Sequence, residues 1–209
     1  MPLVLKQPDY FETCKNAYLA KTTTVAPGAN IYAVPFTSNG IKAVGVAEQR
    51  SATTITASGA VFKMVSKHTA TNLGIDAIAL DQEFVRWALA HVSDANGGFS
   101  FGKGTDKPTE FAFGCTFAYA SGLRVFQWYP RCVLSNGDKS VKDPGTTATD
   151  PSTPYSIVAL PYGANDLIYI EYDQSLVLAT KNPLTEDVFF ATVVSTITDI
   201  RVGTETAKV

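Results

Sequence analysis

Between positions 110 and 133 aromatic rings recur every second or third residue. Phe111, Phe113, Phe117 and Tyr119 come first; Phe126 and Trp128 follow an Ala-Ser-Gly break. Two such runs split by a turn predict a β-hairpin that reverses near Ser121. Rings pack well on a pleated surface and bury a large area. Phe111, Phe113, Phe117, Phe126 and Trp128 are therefore the expected core of this hairpin. Trp128-Tyr129-Pro130 is expected at its more polar end.

The pattern elsewhere also favours strands. Residues 16–21 form a short candidate, and Ala26-Pro27-Gly28 a turn. Residues 31–36 read as a strand closed by Asn39-Gly40, a hairpin signal. Residues 41–47 alternate and continue the meander. Residues 51–58 are rich in Thr and have two mildly polar faces, as in a strand wet on one side. Gly59 is a candidate bulge or bend. Residues 61–68, 73–80 and 155–162 are further strands, with Leu73, Ile75, Ala77 and Ala79 on one face.

One helix stands out over residues 81–92. Asp81 is its expected N-cap, and Phe84, Val85, Ala88, Leu89 and Val92 form its buried stripe. Asn96-Gly97-Gly98 is the expected stop. Residues 185–194 predict a second helix, with acidic residues in its first turn; their β-branched content leaves a strand open. Residues 143–154 read as a loop. The expected fold is mainly β: a sandwich or open barrel of packed antiparallel sheets with a flanking helix. Residues 1–13 would be an arm, 14–200 one domain and 201–209 a tail. No repeat is visible.

Composition sharpens this picture. The chain has 209 residues and a formal net charge of −2. No basic field invites nucleic acid by counterion release. Charged residues make up 17%, against about a quarter in ordinary soluble domains. Surface buried between subunits, or a large β core, would explain the deficit. Cys14, Cys115 and Cys132 give an odd count without a Cys-x-x-Cys pair. A turn near Ser121 sets Cys115 opposite a residue near Phe126, not opposite Cys132. No disulfide is implied, and a reducing compartment fits. Neither a signal peptide nor an apolar run of membrane-spanning length is expected, so the product is expected in the cytosol when made.

Catalytic signals are weak. Gly97, Gly102 and Lys103 fall at phosphate-loop spacing, but Gly104 stands where a Ser or Thr is required. His68 and His91 have no second ligand at metal spacing. Gly-x-Ser-x-Gly is absent. Glu110, Glu171 and Asp173 are the carboxylates from which a glycosidase pair would have to come. The aromatic hairpin is also a candidate stacking platform for a sugar or a base, with the Trp128-Tyr129 region the candidate site in a carbohydrate- or ligand-binding reading. No enzyme, metal or cofactor is expected.

The order of elements resembles a known family. An Asn-x-Tyr-x-Ala strand (Asn16 to Ala20) is followed by a Thr/Ser-rich hairpin over 48–65. A Leu-x-Ile strand then runs straight into the helix, at 73–80 and 81–92. The aromatic hairpin over 110–133 comes next, and a Lys/Asp-rich segment over 136–160 leads to a sheet strand. This resembles the major tail protein, or tail tube protein, of long-tailed bacteriophages. The resemblance implies a β-sandwich whose copies form hexameric rings stacked into a tube in the virion tail, assembled in the host cytoplasm. DNA would pass through the lumen without sequence-specific binding. Tape measure, tail terminator and tail-tip proteins would be partners. A near-neutral to acidic lumen would let DNA slide. Candidate lumen or inter-subunit positions are Ile41, Val44, Val46, Glu48, Thr54, Ile55, Thr56 and Ser58. Candidate stacking arms and loops hold Leu3, Leu5, Asp143, Thr147, Asp150 and Arg201. A carbohydrate- or ligand-binding β-sandwich is the alternative.

Overall fold

A computed structural model describes residues 11–25, 30–38, 40–57, 60–78, 80–93, 100–102, 106–137, 153–177 and 182–195. The protein is mainly β. One antiparallel sheet of nine strands dominates it, with two short helices.

The aromatic hairpin is the centre of the sheet. Strand β8 (Phe111–Tyr119) pairs with β9 (Arg124–Gly137) across a turn in which Gly122 has φ +87°. Only glycine takes that conformation at little cost, so the reversal near Ser121 follows from Gly122. Strand β1 (Phe11–Thr24) flanks β8 on its other side. β1 begins at Phe11, so the expected arm over 1–13 is shorter by at least its last three residues. The outer edge of β1 carries β2 (Ile31–Tyr32) and β3 (Phe36–Ser38), where one strand over 31–36 was expected.

Asn39-Gly40 does not close a hairpin. β3 pairs with β1, whereas the next strand, β4 (Ile41–Ala57), pairs with β5 (Ala60–Ala77). Asn39 itself, like the expected turn at Ala26-Pro27-Gly28, lies outside the described residues. The candidates at 41–47 and 51–58 are one continuous strand, as are those at 61–68 and 73–80. The polar residues between them broke the apolar pattern without breaking the ladder. Three register shifts interrupt the pair: near Lys42, between Gln49 and Arg50, and between Ile55 and Thr56. Such bulges bend and twist a strand while pairing continues. Strand β10 (Thr153–Ala159) then joins β5 to β9, and β11 (Ile170–Asp173) adds beside β10 on the same edge of β9. Thr153 and Pro154, expected in the loop, are in β10.

The sheet doubles back on itself. β1 and β5 are four strands apart, about 19 Å in a flat sheet. Yet Ala17 and Leu19 of β1 share one core with Leu73 and Ile75 of β5. Helix α1 (Gln82–Ala88) plugs that core with Phe84, Val85 and Ala88. Asp81 caps it as expected, accepting a hydrogen bond from the Glu83 amide. The helix is shorter than the expected 81–92. Ala90, at φ 57°, turns the chain out; its amide bonds to the Trp87 carbonyl and that of His91 to Arg86. Val92 is therefore exposed, in β6 (Val92–Ser93), which pairs with β7 (Ser100–Phe101). Leu89 is only half-buried.

A second core fills the opposite face of β1, β8 and β9. Helix α2 (Glu186–Phe189) lies there, a single turn in place of the expected helix over 185–194. Phe189 and Phe190 bury against Phe126 and Trp128. Covered on both faces, β8 is buried at nearly every position, which is why its sequence runs apolar without alternation.

Candidate assembly surface

Four of the five expected core rings of the hairpin, Phe111, Phe113, Phe126 and Trp128, are fully buried. Phe117 is only half-buried, at the rim of the first core. Trp128 and Tyr129 do not form a polar end: they are 0% and 1% exposed. Trp128 Nε1 donates to the Phe189 carbonyl at 3.3 Å, and Tyr129 OH to Gln127 Oε1 at 2.9 Å. Neither ring presents a face to solvent on which a sugar would stack.

The carboxylates are dispersed. Glu110 is bound by Arg131, Glu171 by Gln127, and Asp173 accepts from Tyr119 OH. Among the described residues no group of His, Cys, Asp and Glu is placed to hold a metal ion. His68 Nε2 shares a hydrogen bond with Thr71 Oγ1 at 2.9 Å. The ring of His91 lies against Gly102, where an added Cβ would come within 2.9 Å of its Nε2. Gly97, Lys103 and Gly104 lie outside the described residues. A small cleft of about 190 Å³ runs between Tyr32, Val34, Pro35 and Val193. It contains no ionisable group other than the Tyr32 phenol, whose pKa burial pushes well above its ordinary value.

The β4–β5 hairpin differs from the rest of the molecule. β10 covers only residues 71–77 of β5. Beyond that point, residues 49–57 of β4 and 60–70 of β5 pair with nothing but each other among the described residues. Ten residues of extended chain reach about 33 Å. Thr53, Thr54, Thr56, Met64, Val65 and Ser66 are all exposed, although they occupy both faces of the ribbon. Met64 is 66% exposed and Val65 43%. The candidate positions divide accordingly. Ile41 and Val44 pack against the first core and belong to the body. Val46 and Glu48 are exposed at the base of the arm; Thr54 and Thr56 are exposed on it. Ile55 pairs with Lys63 there. Ser58 lies outside the described residues, as do Leu3, Leu5, Asp143, Thr147, Asp150 and Arg201.

The base of the arm is tied down. Lys67 Nζ meets Asp166 Oδ2 at 2.9 Å, linking the arm to the turn between Tyr162 and Leu167. Thr69 Oγ1 donates to the Gln49 carbonyl at 3.2 Å beside the register shift. The His68 ring stands edge-on to Tyr169. Arg50 is held by Glu48, whose pKa the resulting hydrogen bond lowers. Residues 49–70 thus contain Arg50, Lys63 and Lys67 and no carboxylate. Glu48 and Asp166, both outside this segment, neutralise Arg50 and Lys67 at its base.

Sequence reasoning also missed Glu186. Its Oε1 accepts from Asn16 Nδ2 at 2.6 Å, Thr116 Oγ1 at 2.8 Å and Tyr18 OH at 2.9 Å, and its Oε2 from Arg124. Burial works to raise its pKa. The bonds from Asn16, Thr116 and Tyr18 and the Arg124 charge outweigh that and hold it below the ordinary carboxylate range. No pattern along the chain announces such a cluster, since its donors come from three separate strands.

The cysteines are free, as the hairpin register implied: Cys115 faces Gln127 and Cys132 faces Phe111. Among the described residues no helix is long and apolar enough to cross a membrane. No protein-family model matches the chain, and no curated protein sequence matches it.

Proposed function

We propose that the protein is a self-assembling structural subunit of the phage tail-tube type, built to form stacked hexameric rings whose lumen conducts DNA. The observation that carries this reading is the β4–β5 arm. An isolated two-stranded ribbon is at best marginally stable in water. A long exposed edge strand is a template for pairing with another chain. Here β4 runs for 17 residues at the end of the sheet and β5 for 18. Among the described residues no other element covers either face of the distal arm. A second copy supplies what the monomer lacks, and a head-to-tail contact of this kind closes into rings or extends into filaments.

The charge of the arm refines the assignment. Of the three cations in residues 49–70, Arg50 pairs with Glu48 and Lys67 with Asp166, so Lys63, opposite Ile55, is the one toward the tip; a Lys there would hold a passing phosphate and not release it. The distal arm is therefore assigned to contacts between subunits and not to the DNA path. Tape measure, tail terminator and tail-tip proteins are the partners in this reading, in the virion tail.

Electron microscopy of the purified protein at high concentration, with light scattering for mass, tests the proposal. Rings or hollow tubes are the expected result. A protein that stays monomeric at all concentrations, with tail-tip proteins added as nuclei, overturns it.

A further inference from the structure

The segment 184–194 is attached to the body in an unusual way. It contributes no strand to the sheet, and its one regular element is the single turn α2. Its hold on the body comes from side chains. Phe189 and Phe190 pack on Phe126 and Trp128, and Phe190 stacks on Tyr18 with ring centroids 3.9 Å apart. Tyr172 OH accepts from the Leu184 amide at 2.9 Å, and Gln174 Nε2 donates to the Leu184 carbonyl at 3.0 Å. The polar anchor is Glu186, which gathers donors from β1, β8 and β9.

We propose that residues 184–194 are a strap that opens as a unit while the sheet stays folded, and that ionised Glu186 is its latch. Opening breaks no strand ladder, so it separates from the global transition in the way that local unfolding units do. It uncovers the aromatic face made by Phe126 and Trp128. An ionised carboxylate accepts from every side. The neutral acid turns one acceptor into a donor, and neither the Asn16 amide NH2 nor the Arg124 guanidinium can accept from it. The titratable and charged groups facing Glu186 are Cys14 and Tyr18 from β1, Arg124 from β9 and Asp187 on its own helix. Arg124 is the one cation among these. The latch therefore stays closed through the neutral range and weakens as pH falls below the ordinary carboxylate range.

Amide hydrogen exchange at neutral pH on the intact protein tests this. The Phe189 and Phe190 amides are protected by bonds to the Thr185 and Glu186 carbonyls. In the wild type they are expected to exchange together, at least tenfold faster than the amides at the centre of β8. Glu186→Gln keeps the shape and removes the charge. It is expected to speed the strap by a further tenfold or more and to leave β8 and β9 unchanged. Strap amides exchanging at the rate of β8 in the wild type would make the segment part of the cooperative core and overturn the proposal. So would a strap that Glu186→Gln leaves unmoved. If that variant does not fold, Tyr18→Phe, which removes one of the donors, takes its place. It should speed the strap alone; equal acceleration of strap and β8 would also overturn the latch.

Discussion

Phe190 lies so close to Gly114 that a Cβ built on the glycine would stand 2.6 Å from Phe190 Cε1. The same atom would meet Trp128 Cε3 at 2.9 Å. Glycine weakens a strand interior unless another group needs the space, and here two rings occupy it. Gly114→Ala is expected to destabilise the fold by about 1–3 kcal/mol, the usual range for overpacking. Urea unfolding should show a lower midpoint with an unchanged slope. Adding Phe190→Leu should recover part of the loss. If Gly114→Ala alone is as stable as the wild type, the contact is not tight and the account of β8 is wrong.

The end of α1 gives a prediction of opposite sign. Ala90 holds φ 57°, where its Cβ is crowded. The amides of Ala90 and His91 close the helix by bonding back to Trp87 and Arg86, a geometry that usually has glycine at this position. Ala90→Gly relieves the strain but also frees the unfolded chain. The net is expected to be a gain of about 0.5 kcal/mol, within the range of those two effects. A small rise in melting temperature checks it; a fall would mean that the Ala90 methyl packs usefully.

Ala90 also shows what was legible in the sequence and what was not. The helix start was readable, because Asp81 caps through its own side chain. Its end was not, because an alanine took a role that composition assigns to Gly97. The aromatic hairpin was readable down to the turn, since ring spacing and Gly122 act locally. The β4–β5 hairpin was broken into four pieces in the sequence because strand periodicity is a signal of burial. Residues 49–54 and 63–67 are exposed on both faces wherever their side chains are described and so carry no such signal, although their backbones pair across the ribbon. Pairing of β3 with β1 and the gathering of donors on Glu186 are long-range events with no local mark. The candidate surface divides the same way. Thr54, Ile55 and Thr56 were singled out as a mild-faced strand and lie on the arm. Ile41 and Val44 look similar in alternation, but the curl of the sheet turns them onto the core.

The cysteines should be nearly inert in the folded protein. Burial pushes the Cys14 thiol up to about 11, with the Glu186 charge adding to it, and pushes Cys115 and Cys132 well above the ordinary range. The thiolate is the reactive form. At pH 8, iodoacetamide is expected to label Cys14 slowly and first, because Cys115 and Cys132 are fully buried. All three should react at once in denaturant. Rapid labelling of Cys132 in the native protein would contradict the hairpin register.

Acid should act through Glu186. A carboxylate whose folded pKa is lowered stabilises above its unfolded value and loses that contribution as pH falls through the folded one. The wild type should therefore be more stable than Glu186→Gln at pH 7. The gap should narrow below about pH 4.3, the unperturbed glutamate value. Urea midpoints of the two proteins at pH 7 and pH 3 measure it. A constant gap would assign the effect to shape and not to charge.

The arm separates folding from assembly. Gln49 and Ala70 face each other across the ladder, so an Asn-Gly turn joining them replaces residues 50–69 with a favoured two-residue hairpin loop. The first core, the second core and both helices lie outside the deleted segment. Among the apolar groups removed, Met64 and Val65 are exposed in the subunit. The shortened monomer is thus expected to melt within a few degrees of the wild type. Ile55→Asp, a point change on the same ribbon, should behave likewise, because among the described residues β4 pairs there with β5 alone. Both should abolish rings and tubes in electron micrographs if the arm joins subunits. Normal tube yield from the shortened protein would move the assembly contact to the body. Loss of folding would instead show that the ribbon supports the sheet from which it projects. Because Arg50, Lys63 and Lys67 leave together in the shortened form, a third variant with Lys63→Ser and Lys67→Ser separates charge from strand pairing. It keeps the ladder, and tubes that form but weaken in low salt would locate an acidic partner surface on the neighbouring copy.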